Sequence, residues 1–205
     1  MSRLRVALAK GRLFEPSVAR FRRAGAAIQE DGGRRLLIPS SDPAIEFLVV
    51  KPGDVPVYVE SGAADIGITG TDVLRESGAD VLEPLELEFG FCRLVVATPS
   101  DAPYPTLPGG VTARVATKYP RLAQAFFAAA GRPVDIVQVN GSVEVAPLLN
   151  LSHWIVDLVD TGNTLRANGL VERETILQVR AVLVANRASQ KLKLDAYLDL
   201  MERLE

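Results

Sequence analysis

The chain is short of the residues that most often carry metal and nucleophilic chemistry: its 205 residues include one cysteine, Cys92, and one histidine, His153. A single cysteine excludes an intramolecular disulfide, and one of each excludes a Cys/His zinc cluster. Cys92 opens an apolar run and reads as a small core residue rather than a nucleophile. His153 lies in a turn-like Asn-Leu-Ser-His segment with no neighbour to activate it, and reads as structural. Positive charge is not in excess either. The 23 Lys and Arg are outnumbered by 25 Asp and Glu, for a net charge of −2, so nothing favours nucleic acid or an anionic membrane and any anion must be held locally. No apolar run approaches the roughly 18 residues of a membrane span, and Met1-Ser2-Arg3-Leu4-Arg5 leads into a strand rather than a signal segment. A cytoplasmic protein is expected.

What is present is an ordinary globular composition, 48% hydrophobic and 23% charged, long enough for a sizeable core in one domain or two small ones. The most informative stretch comes late. Trp154-Ile155-Val156-Asp157-Leu158 reads as a short buried strand, followed by the polar turn Val159-Asp160-Thr161-Gly162-Asn163-Thr164-Leu165. Backbone N–H groups, two hydroxyls and a glycine that permits positive φ suit a turn that cradles a phosphate. Asp157 stands inside the apolar run, where a carboxylate is costly unless something polar meets it. The hydroxyls of a sugar whose phosphate lies in the turn would do so, since a carboxylate accepts such bonds well. The plainer alternative is a strand, a turn and a helix capped by Thr161 or Thr164.

Elsewhere the chain alternates strands and helices. A strand over 4–9 ends at Lys10-Gly11-Arg12, either an anion-receiving turn or a solvated one, before an amphipathic helix over 13–24. Arg20, Arg22 and Arg23 close that helix as a solvated face. Strands are expected over 35–38 and 45–50, then a helix after Lys51 with Asp54 as its cap and Pro56 in its first turn, carrying Val55, Tyr58 and Val59 inward. A strand over 64–70 leads to a helix start at Thr71-Asp72. Apolar runs over 81–87 and 93–97 flank Glu88-Phe89-Gly90-Phe91, where the chain crosses to a second lobe, and 101–110 is a surface loop. The second series starts with a strand over 114–117. Lys118-Tyr119-Pro120 opens a helix to residue 130, and a strand over 134–139 precedes Asn140-Gly141-Ser142-Val143-Glu144, whose helix Pro147 keeps short. After the key strand, 166–169 is a turn and 170–184 is largely extended. An amphipathic helix over 189–204 buries Leu192, Leu194, Tyr197, Leu198, Met201 and Leu204, either on the first lobe or against another subunit.

The expected architecture is therefore α/β with two lobes, 1–90 plus 172–205 and 91–171. Four polar turns, at 10–12, 70–72, 140–144 and 160–164, would face one another across a cleft at the carboxyl ends of strands.

These blocks, with Asp54-Val55-Pro56, Asp65-Ile66-Gly67-Ile68-Thr69-Gly70, Ala116-Thr117-Lys118-Tyr119-Pro120 and Asn168-Gly169-Leu170, stand in the order and spacing of the ATP phosphoribosyltransferases, and the chain resembles that family along essentially its whole length. The loop alone also resembles the diphosphoribosyl-binding motif of the common purine and pyrimidine phosphoribosyltransferases. Those show two adjacent acids before the loop, whereas Val156 fills the first position here.

The resemblance implies a two-lobed, periplasmic-binding-protein-like (type II) fold with the active site in the interlobe cleft. The implied reaction is transfer of the 5-phosphoribosyl group of 5-phosphoribosyl-1-diphosphate (PRPP) to N1 of ATP, the first step of histidine biosynthesis. It places Asp157, Lys10 and Glu144 among the catalytic residues. Asp157, Asp160, Thr161, Gly162, Asn163 and Thr164 are carried over to PRPP. Lys10, Gly11, Arg12, Lys51, Asp72, Lys118 and Tyr119 are carried over to ATP and diphosphate, Lys51 standing where relatives often have arginine. It further implies Mg²⁺ held mainly by diphosphate oxygens with no protein metal site, a short form without a histidine-binding C-terminal domain, a separate regulatory subunit related to histidyl-tRNA synthetase, and a homodimer within a hetero-oligomer. The competing expectation is a non-catalytic two-lobed module that binds a phosphorylated metabolite.

Overall fold

The computed structural model describes residues 3–29 and 36–205; Met1, Ser2 and Arg35, which entered the sequence reading, lie outside them. The chain divides into two compact units, one running to Gly90 and resuming at Arg180, the other Phe91–Val179.

The first unit is a six-stranded sheet in the order β2-β3-β1-β4-β11-β5. Its strands are β1 (Leu4–Ala9), β2 (Leu37–Pro39), β3 (Ile45–Val50), β4 (Ile66–Gly70), β5 (Leu82–Glu86) and β11 (Ala181–Ala185). β3, β1 and β4 are parallel, while β11 runs antiparallel to both β4 and β5. Both faces are covered, which is why the central strands read as nearly unbroken apolar runs. Val6, Leu8, Phe47, Ile66 and Ile68 pack with α1 (Phe14–Arg23) and α7 (Leu194–Leu204). On the other face Ala7, Ala9 and Val182 meet α2 (Val55–Glu60) and α3 (Thr71–Ser77). A Cβ on Gly67 would lie 2.7 Å from Val55 Cγ1 and 2.9 Å from Val59 Cγ2. The missing side chain is what lets α2 settle onto β4.

The second unit is a five-stranded sheet in the order β10-β6-β9-β7-β8, made of β6 (Cys92–Pro99), β7 (Ala113–Thr117), β8 (Val134–Gln138), β9 (Trp154–Val159) and β10 (Leu170–Val179). β7 is parallel to β8 and β9, and β6 is antiparallel to β9 and β10. Alternation along β9 splits its side chains. Trp154 and Val156 join the core under α4 (Pro120–Ala129), while Ile155 and Val159 face α5 (Asn163–Ala167) with Leu165. Trp154 anchors the first of these cores: its ring stacks on Phe127 at 5.9 Å, meets Tyr104 edge-on at 4.9 Å, and its Nε1 donates to Pro103 O at 3.0 Å. That bond satisfies the one polar atom of a buried indole.

Several local expectations change. Because β10 pairs with β6 along its whole length, the return to the first unit falls at Arg180 rather than at 172. Asp54 precedes α2 without a side-chain cap bond, and Tyr58 is exposed while Pro56 is buried instead. After Asn140 only a 3-10 turn forms, Val143–Val145. The turn expected at 166–169 begins later, because α5 extends to Ala167.

The C-terminal helix is two helices, α6 (Arg187–Leu192) and α7, broken at Lys193. The Lys193 ammonium lies 2.8 Å from Asp65 Oδ2 and 2.8 Å from the carbonyl of Arg3. Asp65 is buried, and the Lys193 ammonium supplies the charged partner that its carboxylate requires there. Leu192, Leu194 and Leu198 face outward, whereas Tyr197, Leu200, Met201 and Leu204 are buried. Asn186 starts α6 two residues early by accepting from the N–H groups of Ala188 and Ser189. No helix among the described residues is long and apolar enough to cross a membrane.

The Gly67 contact is a measurable constraint. Gly67→Ala inserts a methyl against two short buried valines and is expected to cost about 1–3 kcal/mol, read as a lower urea midpoint at unchanged m-value.

Candidate active site

Charged groups are sparse in the interior of both sheets, and several polar residues stand where parallel strands end. In the second unit, β7 and β9 end side by side, with Thr117 opposite Val156. Thr117 ties the two together: its buried hydroxyl donates to Val156 O at 2.7 Å and accepts from the N–H of Tyr119 at 2.9 Å. Lys118, Asp157, Glu144 and the 160–164 loop are thereby drawn to one region. A depression of about 310 Å³ is lined by Glu144, Asp157 and 158–165. That is near the lower end of ligand pockets, which run from roughly 300 to 1,000 Å³.

Asp157 is the only carboxylate within β9, on the side facing α5, and is one-quarter exposed (23%). Its Oδ1 accepts the N–H of Leu158 at 2.8 Å and lies 3.9 Å from Lys118 Nζ. Burial pushes its carboxyl up from the ordinary aspartate value. The Leu158 bond and the Lys118 charge pull it back, and Glu144 adds to the rise. Lys118 is held over the Tyr119 ring, 5.2 Å from its centroid. The Tyr119 side chain itself belongs to the core under α4, so of this pair it is the lysine that reaches the surface.

In the loop, Gly162 adopts φ +77° and immediately precedes α5. Neither Thr161 nor Thr164 is the N-cap, since Gly162 occupies that position with no side-chain cap bond. Of the plainer reading, the strand, the turn and the helix are present and the threonine cap is not. Asp160, Thr161, Asn163 and Thr164 are exposed, with Gly162 buried between them.

Three residues that sequence reasoning missed brace the loop from below. Arg93, at the start of β6, donates to Asp160 O at 3.0 Å and forms two bonds to Glu172 of β10, at 2.9 and 2.6 Å. Arg166, on α5, donates to Thr161 O at 3.1 Å and to Asn163 Oδ1 at 2.6 Å. Arg93 and Glu172 are separated by 79 positions, and no local pattern links them. Arg166 follows the loop directly and could have been suspected.

The remaining candidates fall in the first unit, again after parallel strands. Lys10, Gly11 and Arg12 follow β1, Lys51 follows β3, and Asp72 lies in the first turn of α3 after β4. The N–H of Lys10 donates to Val50 O at 2.8 Å, which sets Lys10 beside Lys51. Gly11 takes φ +90°, a conformation that favours glycine. Asp72 is buried and its Oδ1 lies over Gly70, only 2.1 Å from where a Cβ would stand. Lys10, Arg12 and Lys51 are exposed.

His153 has the structural place expected of it. Its Nδ1 accepts the N–H of Arg114 at 2.9 Å, and burial with the Arg114 charge lowers its pKa, keeping the ring neutral. Cys92 is buried in the core under α4. Among the described residues no group of three or more His, Cys, Asp or Glu side chains is placed to hold a metal ion.

Comparison with known proteins identifies the family. The family described as ATP phosphoribosyltransferase matches residues 51–205. An ATP phosphoribosyltransferase of Sorangium cellulosum (strain So ce56) is 49% identical over 203 residues, which cover 98% of this chain and 94% of the relative. Among solved structures, the ATP phosphoribosyl transferase (HisG:HisZ) complex from Thermotoga maritima aligns with TM-score 0.86 at 34% identity, over 98% of this chain and 96% of that one. The periplasmic aliphatic sulphonate binding protein SsuA from Escherichia coli aligns over all of this chain and 72% of its own, with TM-score 0.60 at 13% identity, a likeness of fold alone. The fold is thus the two-lobed type of the periplasmic binding proteins, and the chain belongs to the ATP phosphoribosyltransferase family.

Proposed function

We propose that this chain transfers the 5-phosphoribosyl group of PRPP to N1 of the adenine of ATP, giving N1-(5-phosphoribosyl)-ATP and diphosphate, the first step of L-histidine biosynthesis. The observation that carries the site assignment is the placing of Asp157, a partly buried carboxylate, directly before a braced, glycine-containing loop in one depression. The loop, Asp160, Thr161, Gly162, Asn163 and Thr164, receives the 5-phosphate. Asp157 accepts hydrogen bonds from the ribose hydroxyls, which repay the cost of holding a charge there. Lys118 and Glu144 border the same region, and Lys10, Gly11, Arg12 and Lys51, with Asp72 behind them, supply the ATP and diphosphate side. Tyr119 serves by holding the Lys118 ammonium. The binding-module alternative keeps only the fold likeness to a sulphonate-binding protein and is not favoured.

The chemistry asks little of acid–base catalysis. Adenine N1 carries a free lone pair at neutral pH and attacks carbon 1 of the ribose as the bond to diphosphate breaks, the electron pair leaving on the diphosphate oxygen. Inversion through a loose, oxocarbenium-like transition state is expected. Positioning of the two substrates can supply roughly 7 kcal/mol or more of the acceleration. Lys10, Arg12 and Lys51 offer positive charge to the departing diphosphate. Glu144, Asp157 and Asp160 line the depression, and Mg²⁺ would be bound mainly through diphosphate oxygens and water, as this hard ion prefers. When bound, Mg²⁺ neutralises charge on the leaving group.

The chain spans 94–96% of the length of the relatives it matches, one of them solved in a HisG:HisZ complex. We therefore infer a short-form catalytic subunit, a dimer within a hetero-oligomer, working in the cytoplasm with a regulatory subunit related to histidyl-tRNA synthetase. Histidine should inhibit the complex and leave the isolated chain active at the same concentration; inhibition of the isolated chain would overturn that division of labour.

PRPP-dependent conversion of ATP, followed by the ultraviolet absorbance of the N1-substituted adenine with a pyrophosphatase present, tests the reaction. Asp157→Ala should lower kcat/KM for PRPP by about a hundredfold, and no turnover by the wild type with its partner present would overturn the proposal. The ionisation of Asp157 gives a second check. Because burial raises its folded pKa above the unfolded value, stability contributed through this group is lost as pH rises through the window between them, so Asp157→Asn should raise Tm at neutral pH. In an NMR titration of the free protein, Lys118→Met should move the Asp157 midpoint to higher pH and Glu144→Gln to lower pH.

A further inference from the structure

The bracing beneath the loop is more than an ordinary surface ion pair. Arg93 stands directly opposite Val159, the last residue of β9, so its guanidinium is delivered to the point where the strand gives way to the loop. One edge of that fork is spent on both oxygens of Glu172, and the remaining nitrogen donates to Asp160 O. The Glu172 carboxylate in turn lies close under the loop: a Cβ on Gly162 would stand 3.2 Å from Glu172 Oε1 and 3.0 Å from Arg166 Nη1. Three successive points of the loop, Asp160 O, Thr161 O and the Asn163 amide, are thus tied to two guanidinium groups. Side chains of the Arg93–Glu172 pair are about one-third exposed (31% and 32%), so solvent weakens its contribution to stability, and its two-bond geometry is what orients the guanidinium.

A carboxylate beneath a phosphate-receiving loop would oppose the ligand unless it were neutralised. We propose that Arg93 and Glu172 are positioning residues for PRPP: Glu172 orients the Arg93 fork, and Arg93 fixes the carbonyl of Asp160 while cancelling the negative charge under Gly162. Neither side chain needs to touch the substrate. The inference rests on the reading of this loop as the PRPP phosphate site, and it adds the residues that set that site's affinity.

The pair has a signature that general stabilisation lacks, because it acts on one substrate. PRPP binding to the purified chain would be followed by titration calorimetry for the wild type, Arg93→Ala, Arg93→Lys, Glu172→Gln and the double variant Arg93→Ala/Glu172→Ala. The KM for ATP at saturating PRPP and the Tm would be recorded alongside. Arg93→Ala should weaken PRPP binding roughly tenfold or more, with the KM for ATP unchanged. Arg93→Lys should fall between, since it keeps the charge and loses the fork. The double variant should recover part of the loss, because the uncompensated carboxylate is gone. Glu172→Gln keeps the shape and the acceptor and should show a smaller effect of the same kind, so the question stays decidable if Arg93→Ala does not fold. PRPP affinity within about twofold of wild type in both Arg93→Lys and Glu172→Gln, or a parallel loss of PRPP and ATP with a fallen Tm, would overturn the proposal. A wild type that binds PRPP without turnover would sink the transferase reaction and leave this inference to the binding data; one that does not bind PRPP would sink both.

Discussion

Covering both faces of each sheet is the constraint on which the rest depends. A strand buried on two sides disfavours polar groups, so β1, β3, β4, β6 and β9 are mainly apolar, with Thr69 of β4 and Thr98 of β6 as buried exceptions. Polar and charged residues are displaced to the strand ends, and because β3, β1 and β4 are parallel in one unit, as are β8, β7 and β9 in the other, those ends gather on one edge of each sheet. The placement of functional side chains follows from a packing requirement before any chemistry is considered.

Asp157 is where that rule is broken, and the breach has a use. Burial two residues before the end of β9 pushes this carboxyl's pKa up, so its ionised form opposes folding of the free protein. In the proposed role, the same partial burial would make a hydrogen bond accepted from a sugar hydroxyl stronger than it would be on an exposed turn. The strand that carries Asp157 is tied at both ends: the Thr117 hydroxyl bridges β7 to β9, and Trp154 packs at the opposite end between Phe127 and Tyr104.

The catalytic inventory is sparse, and that agrees with a reaction whose nucleophile needs no deprotonation. Such a reaction depends on holding two ligands in register, which calls for fixed loops and matched charge more than for a tuned acid or base. The most elaborate polar network around the loop accordingly lies underneath it, in Arg93, Glu172 and Arg166, and the first unit offers lysines and arginine at strand ends.

Much of this was legible in the sequence because it is local. Periodicity marked β1, β4, β7 and β9, and the glycine and hydroxyl content of 160–164 marked a polar turn while leaving a phosphate loop and a helix cap both open, since such signals reside in a few consecutive residues. The sequence by itself determined the alternation of strands and helices, the position of Asp157 within an apolar run and the family to which the blocks belong. Only the tertiary structure decided that the last helix would break at Lys193 and that Lys193 would meet Asp65, that Tyr119 would turn into the core and leave Lys118 outside, that β10 would stay paired with β6 as far as Val179, and that Arg93 would meet Glu172. These outcomes depend on strand register and on burial, which join residues far apart in the chain, and a carboxylate or guanidinium has no preference for a distant partner until the sheet has brought the two within hydrogen-bonding distance.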